Sequence, residues 1–301
     1  MGSADVVVVG NAGVDTSVYL PAAGIDFQVE ANFTENLDCV GQAGAYAARG
    51  YARLGQRVAF IGHLGDDAAG RLVREAFAQD GIDTRGVFLD PTGTARSVNL
   101  MYPDGRRKNF YDGKAHLTLE PDLQLCREVM AGARLIHLNI PHWARKLLPV
   151  AHDLGIPVAC DLQDIVHLED PYRRDFIQAA GILFFSGANH PDPRPLMQAL
   201  LAGRPGRIVV CGRGAEGCAL GTAEGIRFFP PVRLRRPVVD TNGAGDSLAV
   251  GFLTSRVLEG ASLEEAILKG QIAARHACTL KADSAGLIRR AALQRQFSRL
   301  R

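Results

Sequence analysis

The stretch VVDTNGAGDS, residues 238–247, sets three small residues, Gly243, Ala244 and Gly245, between two carboxylates, Asp240 and Asp246. An apolar run with helical spacing, LAVGFLTSRVLEG, follows at once, and Gly260 ahead of the new start SLEEA marks its end. Gly243–Gly245 therefore lie where a helix begins. The first N–H groups of a helix have no partner inside it, and the helix dipole favours negative charge there. Small residues let an anion such as a phosphate come close to those amides. Asp246, in the first turn, would stand beside that anion. A carboxylate there is a poor phosphate ligand but an effective general base toward a hydroxyl that attacks phosphorus. The same pattern also suits an ordinary strand-to-helix turn in which Asp246 complements the dipole.

A second glycine pattern, GRGAEG (212–217), fits the dinucleotide fingerprint G-x-G-x-x-G directly after a strand-like run. That fingerprint must open a helix and meet an acidic residue about 20 positions further on. Here the continuation CALGTAEGIRFFP reads as strand and turn, so the dinucleotide reading fails. The P-loop pattern G-x-x-x-x-G-K-[ST] is missing as well. The six cysteines form no CxxC pair, and no His stands at metal-ligand spacing from them. This points to a reducing compartment and away from structural zinc.

Lys+Arg 34 against Asp+Glu 32 leaves a formal net charge of +2, which offers no electrostatic reason to expect nucleic acid or an anionic membrane as partner. The N-terminus has no basic region of a secretory signal, Val6 breaks the myristoylation pattern, and no apolar run approaches the roughly 18 residues of a membrane span. The expectation is a cytoplasmic protein.

The elements that must position these residues are legible from periodicity. Apolar, β-branched runs at 6–10, 57–62, 134–139, 156–162, 182–187 and 207–212 read as buried strands. Helical patterns lie between them near 42–54, 66–80, 122–131, 142–154, 171–180 and 193–203. Such alternation argues for an α/β fold, a mostly parallel sheet covered on both faces. Two stretches differ. Residues 25–33 put Phe27, Val29, Ala31 and Phe33 on one face at period 2, and residues 86–111 read as strands joined by the turn PDGR. They suit a small β-sheet that serves as a lid, or else an antiparallel extension of the main sheet. An exposed β-face of that size would make homodimerisation through the lid a reasonable expectation.

DTNGAGD resembles the signature of the ribokinase-like, or PfkB, carbohydrate kinase family, D-T-x-G-A-G-D. Residues 41–83, including ARLG and the GDD turn, resemble its N-terminal signature. GNAGVD (10–15), SGANHPD (186–192) and CGRGAEGCAL (211–220) resemble its opening strand, its N-x-x-E element and its nucleotide loop, in the family's order and across nearly the whole chain.

That resemblance implies one three-layer α/β/α domain over 1–301 with lid strands at about 16–36 and 87–111, and an ATP-dependent phosphotransfer to a hydroxyl of a sugar or nucleoside. It implies Asp246 as base and Asn242, Gly243, Ala244 and Gly245 as the anion hole. It further implies Asp15 on substrate hydroxyls, Asn189 and Asp192 organising Mg²⁺ through water, and Gly214, Gly217 and Gln271 at the nucleotide. Asp192 stands where relatives usually carry Glu. Gly41, Gln42 and Tyr46 stand where relatives carry a Gly-Gly pair and an Asn, so Gln42, Asn11 and Asn99 are candidates to replace the missing amides. Tyr46 would either stack on a substrate ring or pack beneath the lid. K⁺ binding in some relatives maps near KADSAG (281–286), whose residues differ from theirs. The run RRK (106–108) is either a solvated turn or a place where Arg106 or Arg107 closes over a phosphate.

Overall fold

Val6, Val7, Val8 and Val9 are all fully buried, which a strand achieves only when both of its faces are covered. The computed structural model describes residues 3–22 and 24–301, so the reading of Met1 and Gly2 and of position 23 lies outside the described residues. In chain order the first strands are β1 (Val6–Val9), β2 (Gly13–Tyr19), β3 (Glu35–Gly41), β4 (Val58–Leu64), β5 (Asp83–Leu89), β6 (Ala95–Met101) and β7 (Arg107–Asp112). They continue as β8 (Leu135–Leu138), β9 (Val158–Asp161), β10 (Ile182–Ser186), β11 (Ile208–Gly212), β12 (Cys218–Thr222) and β13 (Gly225–Phe229). The helices are α1 (Ala43–Arg53), α2 (Ala68–Gln79), α3 (Leu123–Met130), α4 (Leu148–Asp153) and α5 (Arg174–Ala179). After them come α6 (Arg194–Ala202), α7 (Ala244–Leu253), α8 (Leu263–Ala277) and α9 (Arg290–Leu300).

The large sheet has the order β13-β12-β11-β10-β9-β8-β1-β4-β5, parallel from β11 to β5, with β12 and β13 antiparallel at one edge. Successive side chains of β1 go to opposite cores. Val6 and Val8 join Tyr51, Phe60, Phe252 and Ile272 on one face, and Val7 and Val9 join Ile61, Trp143 and Phe176 on the other. The chain leaves β1 toward β4 and β5 on one side and returns to β8 on the other. That reversal opens a crevice at the C-terminal ends of β1 and β8, where ligands of such sheets bind.

Polar side chains set helix starts where the sequence suggests them. Asp67 accepts from the Gly70 amide at 2.7 Å to cap α2, and Ser262 accepts from Glu265 at 3.2 Å to cap α8. The α7 run ends in a wide turn, Thr254–Leu258, just before Gly260. Gly214–Glu216 make only a short 3₁₀ turn into β12, antiparallel to β11, which is why GRGAEG carries no dinucleotide site.

The smaller sheet has the order β3-β2-β6-β7. Its hairpin β6–β7 closes at PDGR as the pattern indicates, with Tyr102 and Arg106 paired through N–H to O at 3.0 Å. Residues 25–33 correct the expected strand: they form a turn-rich loop, and the strand comes after them, at β3. Phe27 and Phe33 are 89% and 93% exposed, so no facing sheet rewards the alternation, while Asp26 closes the loop on Gln28 and Asn32 instead. Residues 83–89 are the edge strand β5 of the large sheet. All six cysteines are free, four of them buried. Among the described residues no helix is long and apolar enough to cross a membrane.

Candidate active site

Period 2 sorts the small sheet into two faces. On the inner face stand Asp15, Ser17 and Tyr19 of β2, Ser97, Asn99 and Met101 of β6, and Arg107, Asn109 and Tyr111 of β7, cross-strand neighbours of one another. Val98 and Phe110 pair on the outer face and are exposed. The inner face lies against the start of α7. Tyr19 OH donates to Asp240 Oδ2 at 2.6 Å, Asn242 Nδ2 reaches Ser17 Oγ at 3.5 Å, and Arg107 Nη1 donates to Asn242 Oδ1.

The turn into α7 has the geometry its glycines suggest. Gly243 is the N-cap with φ 71°, and the Asn242 amide is tied back to Asp240 Oδ1 at 2.7 Å. A Cβ on Gly243 would lie 2.5 Å from the Tyr46 ring, whereas a Cβ on Gly245 would meet nothing within 4 Å. The open side of the turn is thus where an anion has room, and Tyr46 fills the closed side. Tyr46 is buried, its hydroxyl 3.7 Å from Cys39 Sγ, so it packs beneath the turn and presents no face for stacking on a ligand.

Asp246 is the third residue of α7, packed by protein on most sides while keeping some exposed surface. Burial first, then the charge of Asp161, hold its carboxyl well above the usual carboxylate range; Arg107 opposes them, and Asp15 adds to them. Asp161, the last residue of β9, is pushed up to about 6, chiefly by burial, and accepts from the Gln163 amide at 2.8 Å. Gln163 has φ 61°, an uncommon value outside glycine, and its carbonyl is held by Ser186 N–H at 2.8 Å.

Asp15 is buried beside Gly41, where any Cβ would collide with its carboxylate. It accepts from the Gln42 amide at 3.2 Å and from Gln42 Nε2 at 2.7 Å, and Gln42 Nε2 also lies 2.8 Å from Ser97 Oγ. Desolvation raises its pKa against the pull of these bonds and of Arg107. Asn11 donates to Tyr111 OH and leaves its buried Oδ1 without a partner, and Asn109 donates to Asn99 at 3.0 Å. Asp15 and Asn99 thus share the inner face that meets Asn242 in the turn before Asp246, with Gly41 and Gln42 against Asp15 and Asn11 held to Tyr111.

Asn189 donates to the Asp164 carbonyl at 3.0 Å, and Asp192 accepts from the Arg194 side chain through both carboxylate oxygens, at 2.8–3.1 Å, in an exposed pair. Gly214 and Gly217 bracket the loop after β11, closed by Arg213 N–H to Gly217 O at 2.9 Å. Gln271 is buried, accepting from Val232 N–H at 3.1 Å and reaching Cys218 Sγ at 3.3 Å, so both ends of its amide hold α8 to neighbouring chain. The 281–286 segment is likewise partnered from within: Ser284 lies between Arg49 and the Val40 carbonyl, Gly286 O faces His276, and Ala282 N–H donates to Asp240 at 3.3 Å.

Sequence reasoning missed two crevice residues. Asn139 follows β8, and both polar atoms of its buried side chain lack partners. Asp161 ends β9. The available signal for each was a polar residue closing an apolar strand at the C-terminal edge, as in RLIHLN and PVACD.

The chain matches the pfkB family carbohydrate kinase profile over residues 5–141 and 176–288. It is 35% identical to an acarbose 7(IV)-phosphotransferase of Actinoplanes sp., covering 97% of each chain. It is 29% identical to the aminoimidazole riboside kinase of Salmonella typhimurium, covering 83% of each. Among solved structures, a microbiome-derived acarbose kinase superposes with a TM-score of 0.89 at 32% identity, over 99% of this chain and 100% of that one. The fold is shared with Arabidopsis thaliana ribokinase complexed with ribose and ATP, at TM-score 0.76 and 21% identity, over 98% and 99% of the chains.

Proposed function

Because this chain belongs to the pfkB family of carbohydrate kinases, we propose that it transfers the γ-phosphoryl group of ATP to a hydroxyl of a sugar or sugar-like acceptor held under the small sheet, with acarbose the first acceptor to test. The observation that carries this reading is the meeting of Asp246 and the open anion turn with the inner face of the small sheet around Asp15. The acarbose choice rests on two relatives above 30% identity that are both named for that activity.

In this reading Asp15, oriented by Gln42 and Ser97, accepts hydrogen bonds from acceptor hydroxyls. Asp246 takes the proton of the attacking O–H. The acceptor oxygen bonds to the γ-phosphorus in line as the bond to the bridging oxygen breaks, and ADP leaves with that electron pair. Backbone N–H groups at Gly245 and Asp246 face the developing charge. Bound Mg²⁺ would shield the nucleotide phosphates. Hard oxygen donors that fit it stand on this edge in Asn189 and, once freed from Arg194, Asp192. The loop of Gly214 and Gly217 is the nucleotide side of the cleft. Nucleosides stand as the second acceptor class, as the likeness to an aminoimidazole riboside kinase suggests, although Tyr46 packed beneath Gly243 offers no stacking face. No role is assigned to K⁺.

The test is ADP release and product mass with Mg·ATP over acarbose, pentoses, ketohexoses, sugar acids and nucleosides. Phosphate appearing on one sugar class supports the reading, and no phosphorylated product from any acceptor by a chain that still binds ATP would sink it.

A pH dependence follows with a definite sign. The base works deprotonated, and burial and Asp161 favour its protonated form, so kcat/KM climbs with pH well above the ordinary carboxylate range. Asp161→Asn removes a like charge and is expected to move that rising limb to lower pH. A limb that stays where it was would show that Asp161 does not act on the base.

A further inference from the structure

Two adjacent arginines at the β6–β7 hairpin have opposite surroundings. Arg106 turns back on the hairpin, with Nε 2.7 Å from Asp104 Oδ2 and its guanidinium 5.1 Å from the centre of the Tyr102 ring. Arg107 stands across from Met101 on the inner face and reaches over the cleft to donate to Asn242 Oδ1. Among the described residues no carboxylate lies within ion-pair distance of Arg107. Its charge therefore rests against a neutral amide at the entrance of the anion turn.

The same strand fixes that placement. Residues 107, 109 and 111 share one face, and Asn109 to Asn99 and Tyr111 to Asn11 hold the strand in register over the crevice. The electrostatics agree with the geometry: Arg107 is the positive charge felt by both Asp246 and Asp15. Asp15, Asp161 and Asp246 alone would repel a triphosphate.

We propose that Arg107 is a catalytic residue that the small sheet lays on the transferring phosphoryl group, its guanidinium leaving Asn242 for the equatorial phosphoryl oxygens. This rests on the phosphotransfer reading above. A planar guanidinium donates two parallel hydrogen bonds to such oxygens, a geometry that an ammonium does not reproduce. As the acceptor oxygen bonds to phosphorus and its proton passes to Asp246, the bridging P–O electrons go to ADP. Arg107 meanwhile offsets charge spread over the transferring group.

The test compares wild type, Arg107→Ala, Arg107→Lys and Arg106→Ala for kcat, both KM values and acceptor-free ATP hydrolysis, each with and without millimolar guanidinium ion. Arg107→Ala is expected to lose about a hundredfold in kcat with both KM values within about threefold, and to recover in part with guanidinium. Arg107→Lys should recover only part of the rate, and Arg106→Ala should stay within about threefold of wild type with no response to guanidinium. If wild type phosphorylates its acceptor while Arg107→Ala keeps kcat within threefold, or loses only acceptor KM, this inference falls alone. A wild-type chain that phosphorylates no acceptor overturns the proposed function and this inference with it.

Discussion

Asp246→Asn is expected to lower kcat by at least about a thousandfold while the folded protein becomes no less stable. The rate loss follows from removing a positioned base whose contribution is typically a hundred- to ten-thousand-fold, in a site where no other carboxylate occupies the first turn of α7. The stability half of the result comes from linkage. Asp246 has a folded pKa raised above its unfolded value, so what it contributes to stability is present at low pH and is lost as pH rises through the folded pKa. At neutral pH the desolvated charge beside Asp161 is a cost that the isosteric amide removes. Urea midpoints at pH 7 should therefore be equal or higher in the variant, while at pH 4 the difference shrinks. Turnover within tenfold of wild type would remove Asp246 from the role of base. A marked fall in the urea midpoint would mean that the kinetic loss reports misfolding.

Gly243→Ala should damage both folding and activity. The residue has φ 71°, where a side chain costs about 1–2 kcal/mol. Its new Cβ would sit 2.5 and 2.6 Å from two carbons of the buried Tyr46 ring, and relieving such overpacking costs about 1–3 kcal/mol more. In the phosphotransfer reading, a turn that yields to this clash moves the Gly245 and Asp246 amides from where they would face the phosphate. A displacement near 1 Å in a catalytic group costs about a hundredfold, so kcat/KM should fall by on the order of 10²–10³. Gly245→Ala is the informative partner, because its Cβ meets nothing within 4 Å and its stability should be near wild type. Equal urea midpoints for Gly243→Ala and wild type would contradict the packing argument.

The strands and helices of the large domain were readable because each rests on a local cause. β1, β4, β8, β9, β10 and β11 announce themselves as apolar runs covered on both faces, and α1 to α6 as helical patterns between them. The turn before α7 was equally legible, since small residues, a helix start and a carboxylate are all close in sequence. Residues 25–33 misled for the complementary reason. Period-2 alternation signals a strand only if a partner covers one face, and here Phe27 and Phe33 have none.

What the sequence determined by itself is the doubly covered α/β sheet, the glycine-rich turn into α7 with Asp246 beside it, and the hairpin turn at PDGR. What only the tertiary structure decided is which distant side chains share the cleft. Tyr46 under Gly243, Asn139 and Asp161 at neighbouring strand ends, and Arg107 on Asn242 are joined across 197, 22 and 135 positions. Periodicity and turn chemistry act over a few residues, and so they appear in the string. Burial, desolvation and the choice between Arg106 and Arg107 depend on which face of one sheet meets the end of another, and that exists only once the chain has folded.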